Sequence, residues 1–138
     1  MAAAIFRQIV DDLGDGDLWR IDSAGTWGID GVKASEGTLR VLKSRGIDLS
    51  AHASKIVTGS LLESADLILV MEKGHKEALK LEYPHLAGRI FLLSEMIGDE
   101  TNIEDPIGGP LSAYETTADE IERIMTEGYA RIRQLVEG

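Results

Sequence analysis

Two stretches of this chain, DLILVM (66–71) and RIFLL (89–93), are near-continuous apolar runs. They constrain the fold more than any other feature. A strand with one wet face alternates apolar and polar residues, whereas a run that is apolar throughout fits a strand covered on both faces of a parallel sheet. Parallel neighbours need a crossover, usually a helix. Residues 73–82 lie between the two runs, read as a helix and are halted by Pro84.

The rest of the chain keeps the alternation. Residues 2–13 form a helix on the spacing of Ile5, Phe6, Ile9, Val10 and Leu13, with Gly14 as its stop. LWRID (18–22) reads as a short strand, and SAGTWGIDG (23–31) as a Gly-rich loop. Residues 35–45 form a helix capped by Ser35, with Leu39 and Leu42 facing inward and Gly46 ending it. Ser60-x-x-Glu63 matches a capping box for a short helix over 59–64. Residues 98–112 are a long loop, a kind that is usually functional in a compact domain. Ser112-x-x-Glu115 opens the longest helix, whose stripe is Tyr114, Ala118, Ile121, Met125, Tyr129, Ile132 and Val136. The order α, β, α, α, β, α, β, α predicts one α/β domain over residues 1–138, a parallel sheet layered between helices on both faces. Such domains normally open with a strand; this one opens with a helix.

Composition narrows the function. Lys plus Arg number 14 against 24 Asp plus Glu, a net charge of −10. An acidic surface repels nucleic acid and anionic lipid, so neither is expected as a partner. No apolar run reaches membrane-spanning length, and the N-terminal MAAAIFRQIV lacks the order of a signal peptide. The expected location is the cytoplasm. There is no cysteine, which excludes disulfides, thiolate metal sites and a cysteine nucleophile within these residues. His52, His75 and His85 lack the spacing of a zinc site, and the acidic loop from Asp99 to Asp105 lacks that of a hard-cation site. No metal or cofactor is expected; His75 and His85 read as surface residues.

Five segments carry a resemblance: MAAAIF, IDSAGTWG (21–28), GIDLSAHASK (46–55), ESADLILVM (63–71) and IEDPIGGP (103–110). In this order and spacing the chain resembles the low-molecular-weight protein phosphatases, a family of tyrosine phosphatases, bacterial protein-arginine phosphatases and arsenate reductases. The resemblance implies that family's fold, a three-layer parallel sheet. It also implies dephosphorylation of phosphotyrosine or phosphoarginine proteins through a cysteinyl-phosphate. The family's signature is a first strand, then C-x5-R-S-P, then a segment like MAEAIF. Met1 falls just after the place of that Ser-Pro, so the first, central strand, the nucleophilic Cys and the phosphate-gripping Arg are missing. The expectation is a start set inside a longer protein, with a natural fragment as the alternative, and no phosphatase activity for the chain as given. An arsenate reductase would need cysteines. A non-catalytic module that binds a partner through the same fold is the other function class.

The resemblance assigns roles residue by residue. Asp105, before Pro106, is the acid that protonates the leaving group while a thiolate attacks phosphorus; otherwise it is a turn-forming Asp-Pro. Ser23 and His52 support the phosphate loop, orienting its N–H groups toward the anion; otherwise they are a strand-end Ser and a loop His. Trp27 and Ile107 resemble walls of the substrate pocket. Tyrosine-selective relatives usually carry aromatic residues where Ile107 stands, and an aliphatic side chain cannot stack on a phenyl ring. This points toward the arginine-phosphatase branch. The missing strand lies, in the family, between LWRID and DLILVM. Unpaired backbone there is costly, so copies are expected to associate through the slot as a homo-oligomer, direct closure of the two strands being the alternative.

Overall fold

The computed structural model describes residues 1–23, 36–47, 58–104, 106 and 109–137. The chain forms two compact units, residues 1–57 with 105–122 and residues 58–104 with 123–138.

The first unit opens with α1 (Ala2–Asp12), which buries Ile5, Phe6 and Val10 along one stripe. It ends as the sequence predicts. Gly14 adopts φ 78°, a left-handed conformation that costs glycine nothing. The Gly14 N–H then donates to the Asp11 carbonyl (3.1 Å) and the Asp15 N–H to the Val10 carbonyl (2.8 Å), closing the helix end. A 3-10 turn follows at Gly16–Leu18. Arg7 folds it back onto α1, its guanidinium donating to the carbonyls of Gly16 (3.0 Å) and Trp19 (2.9 Å). The Trp19 ring meets Phe6 edge-on at 5.0 Å.

LWRID is not a strand. Leu18 closes the 3-10 turn, and the backbone turns extended only at Trp19 (φ −119°, ψ 132°). Among the described residues no strand pairs with 19–23. A strand is made by its ladder, and here the Trp19 carbonyl goes to Arg7 instead.

Helix α2 (Glu36–Ser44) buries Leu42, as expected, with Val41 rather than Leu39, which is half-buried. Gly46 (φ 80°) ends it by the same pair of bonds as at Gly14. The predicted cap Ser35 lies outside the described residues. Gly37 lies so close under the Tyr114 ring that a Cβ there would come within 2.6 Å of it. The Arg45 guanidinium bonds Asp119 and Glu122, three residues apart on α5 (Leu111–Glu127).

The second unit holds the sheet. Helix α3 (Gly59–Glu63) is capped not by Ser60 but by Thr58, whose hydroxyl accepts from the Leu61 N–H (3.2 Å). Ser60 sits inside the first turn. Strands β1 (Ile68–Val70) and β2 (Ile90–Leu92) pair in parallel with Ile68 opposite Ile90. Each apolar run delivers three paired residues. Helix α4 (Lys73–Glu82) connects them, followed by a 3-10 turn at Pro84–Arg89. Ile68, Leu79, Leu86, Ile90, Leu92 and Leu93 are buried in the core of this unit.

A turn over Leu93–Ile97 packs beside α6 (Tyr129–Glu137). The predicted single C-terminal helix is thus two, parted at Gly128. The hydrogen-bond ladder nevertheless runs through, from the Gly128 N–H to Ile124 O (2.7 Å) and from the Ile132 N–H to Gly128 O (2.9 Å). Met96 presses on the backbone at this point. Along the predicted stripe Ala118, Ile121, Met125 and Ile132 are buried; Ile124 joins them, while Tyr129 and Val136 are half-buried.

Candidate functional site

The site residues read from the sequence divide sharply. Ser23 is described and exposed, at the end of the extended segment, its N–H donating to Asp22 Oδ1 (3.0 Å). Trp27, His52, Asp105 and Ile107 lie outside the described residues. The structure therefore brings none of the five together, and what it does define is the chain on either side of Asp105.

Upstream, residues 98–104 form a strap in the second unit. Gly98 (φ 83°) turns the chain out of the 93–97 turn. Ser94, 1% exposed, is the one buried polar side chain among the described residues. Its hydroxyl donates to the Thr101 carbonyl (2.7 Å) and accepts from the Thr101 N–H (3.0 Å), so both backbone polar groups of that residue are satisfied at one point. Asn102 Oδ1 accepts the Lys73 N–H (2.8 Å), one of the α4 amides that the helix itself cannot satisfy. Ile103 plugs the core at 2% exposure, its N–H donating to the Met71 carbonyl just beyond β1 (2.8 Å). Burying a side chain of this size contributes about 1.5–3 kcal/mol.

Downstream, in the first unit, the Gly109 N–H donates to the Pro106 carbonyl (2.9 Å), and the Ala113 N–H to the Pro110 carbonyl (3.0 Å) at the start of α5. A Cβ at Gly109 would lie 3.1 Å from the Pro106 carbonyl oxygen and 3.3 Å from the Ala113 Cβ, so this turn favours glycine. Helix α5 begins at Leu111, one residue before the predicted cap Ser112.

Sequence reasoning missed Ser94, Asn102 and Ile103. Only Ile103 left a signal, as the single large apolar residue in the acidic stretch DETNIED. Beside the strap, Glu95 accepts from Lys76 Nζ (2.8 Å) and from the Leu92 N–H (2.6 Å). Burial pushes its carboxyl up, but those two hydrogen bonds and the charges of Lys76 and Lys80 overcome that and hold it below the usual carboxylate range. Lys76 also approaches the face of Phe91, 6.0 Å from the ring centre. Among the described residues no group of His, Asp and Glu is arranged to hold a metal ion, and no helix is long and apolar enough to cross a membrane.

The family model for low molecular weight phosphotyrosine protein phosphatase matches residues 1–137. The chain belongs to that family. A crystal structure of the low molecular weight protein tyrosine phosphatase from T. tengcongensis superposes with a TM-score of 0.88 at 37% identity, covering 94% of this chain and 88% of that one. Among curated relatives, the low molecular weight protein-tyrosine-phosphatase of Streptomyces coelicolor is 33% identical, covering 100% of this chain and 88% of its own length. The protein-arginine-phosphatase of Bacillus subtilis is 31% identical over 92% of this chain and 83% of its own. The resemblance drawn from five short segments thus holds over nearly the whole length. Membership sharpens one fact of the sequence: the family's nucleophile is a cysteine, and these 138 residues contain none.

Proposed function

We propose that this fold serves hydrolysis of a phosphoryl group from protein side chains, and that these residues contribute its acid and supporting groups but not its nucleophile. The family match over 1–137 carries the reading, because it spans Asp105-Pro106 as well as Ser23 and His52. A thiolate attacks phosphorus and forms an S–P bond. The bond to the leaving oxygen or nitrogen breaks as Asp105 delivers its proton there, and water then hydrolyses the cysteinyl-phosphate. Ser23 and His52 orient the N–H groups that hold the anion; Trp27 and Ile107 line the pocket. The substrate is a phosphorylated protein, phosphotyrosine or phosphoarginine, as in the two curated relatives. The aliphatic Ile107 favours phosphoarginine.

The experiment supplies the strand and phosphate loop that the family signature carries. A strand followed by C-x5-R-S-P is joined ahead of Met1 and the product assayed on phosphotyrosine and phosphoarginine peptides. Turnover is expected, slowed about 10²–10⁴-fold by Asp105→Asn, with vanadate affinity little changed. Turnover indifferent to Asp105→Asn would place the acid elsewhere.

A second reading rests on the absence of cysteine: a non-catalytic module that binds phosphoprotein partners on the same fold. It gains if the joined protein binds vanadate yet never turns over. Action as one domain, in the cytoplasm and as a homo-oligomer through the gap where the family's first strand would lie, belongs to the same proposal. Light scattering at micromolar concentration decides the last point, a strict monomer overturning it.

A further inference from the structure

The strap, α4 and the 93–97 turn are joined pairwise by polar ties that close a ring. Ser94 of the turn holds Thr101 of the strap through two hydrogen bonds. Asn102 of the strap holds the Lys73 N–H at the start of α4. Lys76, one turn further along α4, returns to Glu95 of the 93–97 turn, beside Ser94. Both carboxylate and ammonium of that last tie are mostly buried, with side chains 16% and 20% exposed. The ring encloses little apolar surface on the strap, since Asp99, Glu100, Thr101, Asn102 and Glu104 are all exposed and Ile103 alone is buried.

We propose that these three ties form one cooperative fastening, so that the strap and the first turn of α4 open and close together. Each tie restrains two elements that the other two ties also restrain. Freeing Ser94 leaves the Asn102–Lys73 tie supported only by the neighbouring Ile103–Met71 bond, and freeing Lys76 releases the start of α4 from the turn, so either change lowers the effective concentration of Asn102 at the Lys73 N–H. Ser94 is the strongest corner, because its buried hydroxyl satisfies a donor and an acceptor at once. The strap runs in sequence into Asp105, but the fastening does not rest on the proposed function.

Amide hydrogen exchange on the chain as it stands tests this without any activity assay. In Ser94→Ala the Thr101 amide loses its partner directly. The informative reporter is the Lys73 amide, which Ser94 does not touch. Its exchange is expected to accelerate roughly ten- to hundredfold. In Lys76→Gln the remote reporter is again the Lys73 amide, whose partner Asn102 is untouched, and it is expected to accelerate roughly five- to tenfold. Asn102→Asp keeps the oxygen that accepts the Lys73 N–H and should leave both reporters near wild type. Remote amides unmoved in Ser94→Ala and in Lys76→Gln would overturn the proposal, each tie then acting alone. Should Ser94→Ala fail to fold, Lys76→Gln and Asn102→Ala, whose altered side chains are not in the core, decide by the Lys73 and Thr101 amides. An inert Asp105→Asn in the joined enzyme would leave these exchange results untouched, so the two ideas fail separately.

Discussion

Replacing Gly128 by alanine sets two physical effects against each other. In a helix, Gly→Ala is normally stabilising by about 1 kcal/mol, because glycine has more backbone freedom to lose. Gly128 sits in a continuous hydrogen-bond ladder between α5 and α6, so that gain applies. Yet a Cβ at this position would lie 2.8 Å from the Met96 Cβ and 2.9 Å from the Met96 carbonyl oxygen. Comfortable contact between carbon atoms begins near 3.5 Å. Neither Met96 atom can rotate away, since both belong to the backbone or sit next to it. Relief requires the 93–97 turn and α6 to part, and overpacking of this kind costs about 1–3 kcal/mol. The upper part of that range applies to a rigid neighbour, which leaves a net loss of about 1–2 kcal/mol and a Tm lower by roughly 3–7 °C. Gly74 in α4 is the control: a Cβ there meets nothing within 4 Å, so Gly74→Ala is expected to raise stability by up to about 1 kcal/mol. Urea midpoints and thermal melts by far-UV circular dichroism read both. A Gly128→Ala protein at or above the wild-type midpoint would refute the packing argument.

The purified chain is expected to release phosphate from an aryl phosphate at the background rate, because loss of the nucleophile alone costs several orders of magnitude; turnover proportional to protein and abolished by Asp105→Asn would contradict this. Glu95 predicts a pH dependence. Its folded pKa lies below the unfolded value of about 4.3, so its contribution is fully present above that pH and is lost as pH falls through the folded value. Glu95→Gln should lower stability at pH 7 and flatten the loss of stability as pH falls below the ordinary carboxylate range; parallel stability–pH curves for the two proteins would refute it.

What could be read in advance follows from where the determining interaction lies. Helix α1, its stop at Gly14 and the parallel pair β1 and β2 depend on local periodicity and on apolar runs, and both are written in the residue order. LWRID misled because its composition suits a strand while a strand needs a partner, and the Trp19 carbonyl takes Arg7 instead. The cap of α3 was misplaced by two residues because Thr58 and Ser60 are equally good oxygens, and only the path of the chain chooses between them. Ser94 and Asn102 were invisible for a deeper reason. A serine or asparagine near a loop becomes an anchor only when tertiary structure brings a backbone group to it. The family, by contrast, was legible from five short segments. Of its site, only Ser23 falls among the described residues.

The ring of ties also orders events in time. The Lys76–Glu95 contact spans 19 residues, Asn102–Lys73 spans 29, and the Ile103–Met71 bond encloses both. These are nested loops. Once the innermost has closed, the next has only about ten residues left to bring together, which cuts its closure cost by about 1 kcal/mol. The outermost then closes almost for free. Folding of this unit should therefore zip from the α4 crossover outward, with the Lys73–Asn102 and Met71–Ile103 ties made last. In unfolding the order reverses, and those two ties open first. Substitutions at Asn102 and Ile103 should accordingly speed unfolding and leave the folding rate nearly unchanged.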